Sequence, residues 1–437
     1  MNQPPVIPLR GRDGKPSAEA MAALDRRWRA RYLLLAPHRL GFLLAMAVLV
    51  AAGLWWALVQ LDRMSGVLAL PYALSPSLVH GAVMTFGFFP LFFSGFLFTA
   101  GPKWLGVRPL DTGRLLAPML LQAAGWMLWL AAAHFKAGLA IAALALAWAG
   151  LAWMTLLFWQ LIRRSQAGDR LHALTIGGAC IVGCLSLAGL ALSLALGAPA
   201  VALAWVLTGL WGFVLGVYVS VAHRMIPFFT SSAVPLMEAW RPSWVLWLML
   251  AVAAVEVAAV WTSLNGPLQD AAWMLVRGMV ELVAGGLLLW LALAWGLLKS
   301  LRNRLLAMLH IGFFWLGLAL ALGGVTQLQG WVQGAPVLSL GSLHALGMGC
   351  LGSLMLAMVT RVSCGHGGRA LVADRLVWSL FWLLQAATLL RIAGAAQTAL
   401  AGWLLLAAAF LWAAVMAVWG LRLSGWYGRL RADGRLG

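Results

Sequence analysis

Apolar runs of twenty or more residues recur along the whole chain, separated by short stretches where Arg, Pro and Gly collect. Each run is long enough to cross a hydrocarbon core of about 30 Å as a helix. The pattern predicts twelve spans, at roughly 40–61, 77–101, 113–133, 138–162, 173–195, 200–223, 243–263, 271–298, 305–328, 338–361, 376–393 and 397–421. The chain therefore reads as an all-α integral membrane protein of about twelve transmembrane helices, its membrane domain covering 36–424. Residues 1–35 read as a flexible basic segment with an interfacial amphipathic helix over 18–35, and residues 425–437 as a basic cytoplasmic tail. The N-terminal stretch does not read as a secretory signal, because no short apolar core with a cleavage site follows its basic residues.

Composition agrees with the pattern. Of 437 residues, 63% are hydrophobic and only 10% charged, where a soluble domain would carry about a quarter charged. The net charge of +18 invites a nucleic-acid reading, but its distribution argues against one. With the N-terminus in the cytoplasm, twenty-six of the thirty Lys and Arg fall on the cytoplasmic side. The opposite side holds Arg63, Lys136 and Arg391, with Arg277 near that end of span eight. This is the positive-inside bias of short loops. It makes both termini cytoplasmic and the basic charge a contact with anionic lipid. The partner is the bilayer, and no nucleic acid is implied. Arg outnumbers Lys 26 to 4, which suits a GC-rich bacterial genome.

Ionisable groups within spans are costly and mark functional sites by default. Two are carboxylates, Glu256 and Glu281 on spans seven and eight. The eight histidines divide by depth. His80 lies ~34 Å above the inner boundary and His344 ~25 Å above it, taking 1.5 Å of rise per residue; both belong to the outer part of the membrane. His134 lies outside as well, at the end of span three. His38, His172, His223, His310 and His366 collect at the cytoplasmic face, with His366 in the loop after span ten. Neutral imidazole is a common ligand for Fe, Cu and Zn. Haem b held by two histidines needs them on facing helices at matching height, with small residues alongside. Gly81, Gly87 and Gly95 flank His80; Gly341, Gly347, Gly349 and Gly352 flank His344. The height difference of ~9 Å must then be closed by tilt or a late helix start. The alternative is that each histidine bonds a carbonyl and the glycines serve helix packing.

Four segments resemble the NnrS family of haem- and copper-containing bacterial membrane proteins linked to nitric oxide metabolism. They are "APHRLGFLLA" (36–45), "HGAVMTFGFFPLFFSGFLFTAGPKWLG" (80–106), "VAHRMIPFFTSS" (221–232) and "LHALGMGCLGSLMLAMVTRVSCGHGGRAL" (343–371). "LHIGFFWLGLAL" (309–320) and "DRLHALTIGG" (169–178) fit more loosely. Two departures stand out. Many members carry His-x-His at the start of span two, where this chain has only His80; and the loop pattern Gly-His-Ser/Thr-Gly-Arg is here Gly365-His366-Gly367-Gly368-Arg369. The resemblance implies haem b, with copper as a further candidate cofactor, and a role in nitric oxide metabolism or nitrosative-stress protection, as in denitrification. Nitric oxide is then the candidate small-molecule ligand, and an electron donor or metalloenzyme the candidate partner. The family is distantly like the haem–copper oxidase architecture, in which histidines on spans two and ten ligate a low-spin haem. That analogy points to His80 and His344. An oxygen-reducing centre would also need paired copper-binding histidines on spans six and seven; span seven has none, which argues against a terminal oxidase.

A second metal site at the inner face would draw on His172, His223 and His310, with His38 and His366 nearby, and copper or a second haem as occupant. Arg224, Arg361 and Arg369 lie there too, suited to haem propionates or lipid phosphates; the plain alternative is that they are positive-inside anchors. Pro227 is expected to break the last turn of span six. Cys180 and Cys184 share a helix face, which suits a soft metal or, more simply, buried packing. The competing function is a transporter of a small solute or metal complex that uses Glu256 and Glu281 as coupling groups; no pair of spans is visibly interrupted at mid-membrane, although Pro90 and Gly95 leave this open in span two.

Overall fold

The computed structural model describes residues 27–264, 271–333, 340–396 and 398–433. Twelve helices in it are long and apolar enough to span a membrane. They are α1 (Pro37–Ser65), α2 (Pro76–Leu105), α3 (Gly113–Ala132), α4 (Ala137–Arg164), α5 (Leu171–Ala195), α6 (Pro199–Ala233), α7 (Ser243–Thr262), α8 (Ala272–Ala294), α9 (Arg304–Gln333), α10 (Gly341–His366), α11 (Arg375–Ala393) and α12 (Ala401–Tyr427). No strand occurs among the described residues. Helix is what hydrocarbon demands, since it satisfies every backbone N–H and C=O within one segment. Proline opens α1, α2 and α6 at the first helical position, where no N–H is needed. Gly66 and Gly106 end α1 and α2 in the left-handed conformation.

The two ends of the described chain meet. Arg29 N–H donates to Gly428 O at 2.7 Å, the Trp28 indole donates to Ser424 O at 3.1 Å, and Arg39 donates to Arg429 O at 2.7 Å. This termini face is one end of the bundle; the far face is the other. Of the expected N-terminal amphipathic helix over 18–35, residues 18–26 lie outside the described residues, as does the segment before them, and Ala30–Leu35 form a short 3-10 helix. The last helix runs through the start of the expected tail, to Tyr427.

Burial ranks the helices. In α2 and α10, 83% and 78% of the most apolar window is buried inside the protein, against 39% or less for α5, α7, α8 and α11. With α9 and α6 next in rank, these four helices form the inner layer, and they carry five of the eight histidines. Close approach is built into the sequence where α1 meets α2. A Cβ on Gly41 would lie 2.8 Å from Leu91 O.

Three inner helices depart from regular geometry. α2 breaks at Gly87–Phe88, in the span that Pro90 and Gly95 leave open to interruption. π-Helical stretches run over Gly209–Leu215 in α6 and Ala345–Gly352 in α10. Two expectations need correction. α6 does not stop near Pro227 but continues to Ala233. Proline removes one backbone bond, and here Ile226, Phe229 and Thr230 around it are all buried, so packing holds the turn. α10 likewise passes Arg361 and ends at His366, which places His366 in the last helical turn and not in a loop.

Candidate functional site

Two of the far-face histidines, His80 and His344, occupy the two most buried helices. His344 Nδ1 bonds Leu340 O, one turn earlier, at 2.8 Å. A carbonyl only accepts, so Nδ1 carries the proton and Nε2 of the neutral ring keeps its lone pair. His80 lies against Trp56, ring centroids 3.9 Å apart and planes 15° apart, and its buried Nδ1 has no hydrogen-bond partner. His344 is an electrostatic neighbour of His80, and Arg391 neighbours both. With α10 measured to His366 and α2 to Leu105, the heights become ~33 and ~38 Å. The five further residues of α10 beyond Arg361 thus account for much of the ~9 Å difference expected from the sequence. Beside the pair, a Cβ on Gly347 would meet nothing within 4 Å.

His134 is a contrasting case. Its Nδ1 bonds Pro71 O at 2.7 Å and its Nε2 accepts from the Trp55 indole at 2.7 Å. Both nitrogens are used, which is how a structural histidine looks.

At the termini face the five histidines divide into three places. No group of three or more His, Cys, Asp or Glu that could hold a metal occurs among the described residues. His172 and His223 are joined Nε2 to Nδ1 at 2.9 Å, and His223 Nε2 bonds Pro242 O at 3.1 Å. The network assigns the tautomers of the neutral rings. His223 must donate to Pro242 O, so its Nδ1 accepts from His172 Nε2–H, and His172 Nδ1 is left a bare lone pair, buried and unpartnered. His310 stands separately on Thr230 Oγ1 at 2.9 Å. Thr230 also donates to Ile226 O at 2.9 Å, so His310 Nε2 is the donor to it and buried Nδ1 is again unpartnered. His38 and His366 form the third place, centroids 4.8 Å apart, with His38 Nδ1 unpartnered. Buried polar atoms without partners are few in folded proteins and call for a ligand, an ion or a water.

The candidate arginines have protein partners. Arg224 lies over Trp104 at 5.1 Å and 3.9 Å from Asp169; Arg361 lies over Phe229 at 3.8 Å. Arg369 lies over Trp426 at 4.2 Å. The intramembrane carboxylates share one guanidinium. Arg277 reaches Glu256 at 2.7 Å and Glu281 at 2.8 Å. Cys184 Sγ meets Thr155 Oγ1 at 3.4 Å, and all four cysteines are free thiols. An apolar cavity of about 60 Å³ lies between α1, α2, α6, α9 and α10, lined in part by Phe42, Phe92, Phe96, Tyr218, Met225 and Met358.

Sequence reasoning missed Trp56, Thr230 and the placement of Arg391. Arg391 had a signal, because it is one of few basic residues on the sparsely charged side.

No curated protein matches the chain. A family model does, that of the NnrS protein, over residues 32–431, from the 3-10 turn before α1 to just past α12 and so across every helix just described. The chain belongs to the NnrS family.

Proposed function

We propose that this NnrS family member is a haem b-binding protein of the bacterial inner membrane that serves nitric oxide metabolism or protection from nitrosative stress. His80 and His344 would hold the haem through their imidazole nitrogens. The observation that carries this reading is the bond from His344 Nδ1 to Leu340 O, which orients the ring and leaves Nε2 to bind metal, as metal-ligating histidines characteristically do. His80, with an unpartnered buried nitrogen, supplies the second ligand, and the open side of Gly347 supplies room. The group itself would contribute one-electron chemistry and affinity for small diatomic gases. The chain's own part is to hold two imidazoles in a dry, apolar setting, with Trp56 fixing the plane of one. Nitric oxide is small and uncharged, and the apolar cavity beside Tyr218 suits such a molecule.

Copper belongs in this reading at His172, whose bare Nδ1 is a buried, unpartnered lone pair at the termini face oriented by a second histidine. That face is assigned to the cytoplasm, following the distribution of Lys and Arg. The transporter alternative draws less support, because its two coupling carboxylates are both engaged by Arg277.

The test is the reduced-minus-oxidised optical spectrum of the detergent-purified protein beside His80→Ala and His344→Ala. Split α/β bands of low-spin haem b, lost in both variants, are expected. A folded, haem-replete preparation without haem absorbance would overturn the assignment.

A further inference from the structure

Arg391 sits near the far end of α11, half-buried. It makes no hydrogen bond, ion pair or ring contact with any described residue, unlike Arg277, Arg224 and Arg361. A guanidinium held in an apolar bundle is costly without an anion. Its electrostatic neighbours include His344 and His80, neither of which can supply negative charge as a neutral ring. Arg63 is the other basic neighbour of His80. It spans from Ser77 Oγ, at 3.0 Å, to the face of Trp56, at 5.1 Å, and Trp56 in turn covers His80. Two of the few basic residues on the sparsely charged side thus neighbour His80, and Arg391 neighbours His344 as well; neither forms an ion pair with a carboxylate among the described residues. Positive-inside anchoring explains neither.

We propose that Arg391 and Arg63 form an oxyanion-receiving pair for the carboxylates of the group held between His80 and His344. This rests on the haem reading above. Guanidinium suits the role because its planar fork matches a carboxylate with two parallel bonds. The pair would set the group's orientation, with its acidic edge toward the far face, and would also bias its redox equilibrium. A fixed positive charge near iron disfavours the ferric state, so removing the charge lowers the midpoint potential.

The experiment is a spectroelectrochemical titration of the haem-loaded full-length protein and of Arg391→Gln, Arg391→Lys and Arg63→Gln. Arg391→Gln is expected to shift the oxidised-to-reduced ratio at fixed potential about tenfold toward oxidised, which is about 59 mV for a one-electron couple. Arg391→Lys should recover at least half of that shift, and Arg63→Gln should move the potential in the same direction by less. Should Arg391→Gln fail to fold, Arg63→Gln reads the same charge at an exposed position. Unchanged potentials in variants that keep their haem would overturn the inference and leave the haem assignment standing. If native mass spectrometry then shows a phospholipid lost from Arg391→Gln, the oxyanion is a lipid phosphate and the inference is overturned in its choice of source. Wild-type protein without haem overturns both readings together.

Discussion

Trp56 on α1 lies flat against His80 on α2, with ring centroids 3.9 Å apart. An imidazole with no hydrogen bond at Nδ1 is held here by an aromatic face, and aromatic ring pairs contribute about 0.5–1.5 kcal/mol beyond area burial. Trp56→Ala is therefore expected to lower the haem-to-protein ratio and to broaden the low-spin spectrum, while Trp56→Phe keeps most of both. Equal haem occupancy in all three proteins would remove Trp56 from the site.

The direction of the hydrogen-bond relay from His172 through His223 to Pro242 O makes the two histidines unequal. His172→Ala removes the lone pair proposed to bind copper, and His223→Ala removes only its orienting partner. Loss of an outer-shell partner typically costs 10–100-fold in metal affinity. In a Cu(I) competition assay His223→Ala should weaken binding by about that factor, His172→Ala should weaken it further, and His134→Ala should leave it unchanged. Equal affinities across the set would exclude copper from His172.

Arg277 is shared by Glu256 and Glu281, both almost fully buried. Removing one partner of a buried ionic cluster costs about 3–5 kcal/mol, whereas removing the whole cluster is far milder. Thermal unfolding in detergent should show Arg277→Gln strongly destabilised, and the triple variant Arg277→Gln/Glu256→Gln/Glu281→Gln closer to wild type. The reverse order would mean that the carboxylates do not depend on the arginine.

Asp374, which caps the start of α11 outside the spans, is bridged by Arg422 and accepts from Val377 N–H at 3.0 Å. Its carboxyl is held below the usual range, first by the Arg422 bond. A folded-state value below the unfolded one gives stability that is present above the unfolded value of about 3.9 and is lost as pH falls through the lower folded value. The stability gap between wild type and Asp374→Asn should thus be constant from about pH 7 to 5 and close below about pH 4. The pair is partly exposed, so the gap should be small and shrink in salt. A gap that widens on acidification would contradict the assignment.

Much of the candidate site is legible in the sequence because it depends on cost. An imidazole or carboxylate inside a span is rare enough to stand out one residue at a time, and so His80, His344, Glu256 and Glu281 are marked by the order of residues alone. Which of them meet is not legible there. Arg277 falls at the expected end of its span, but its bond to Glu256 crosses from α8 to α7. The inner-face histidines look like one cluster in the sequence because they share a depth, and depth says nothing about azimuth around the bundle. The tertiary structure separates them into His172–His223, His310–Thr230 and His38–His366.

The sequence by itself determined the number of spans, their approximate limits and the uneven spread of basic residues, since hydropathy and loop charge are local quantities read by the bilayer. It also carried the family, through residues that stay in order along the chain. Only the tertiary structure decided that α6 continues past Pro227, that α10 reaches His366, that α2 breaks at Gly87–Phe88, and that Arg391 and Arg63 are both neighbours of His80. Those outcomes depend on which neighbouring helix supplies packing or a hydrogen bond, and helices distant in sequence contribute that in three dimensions alone.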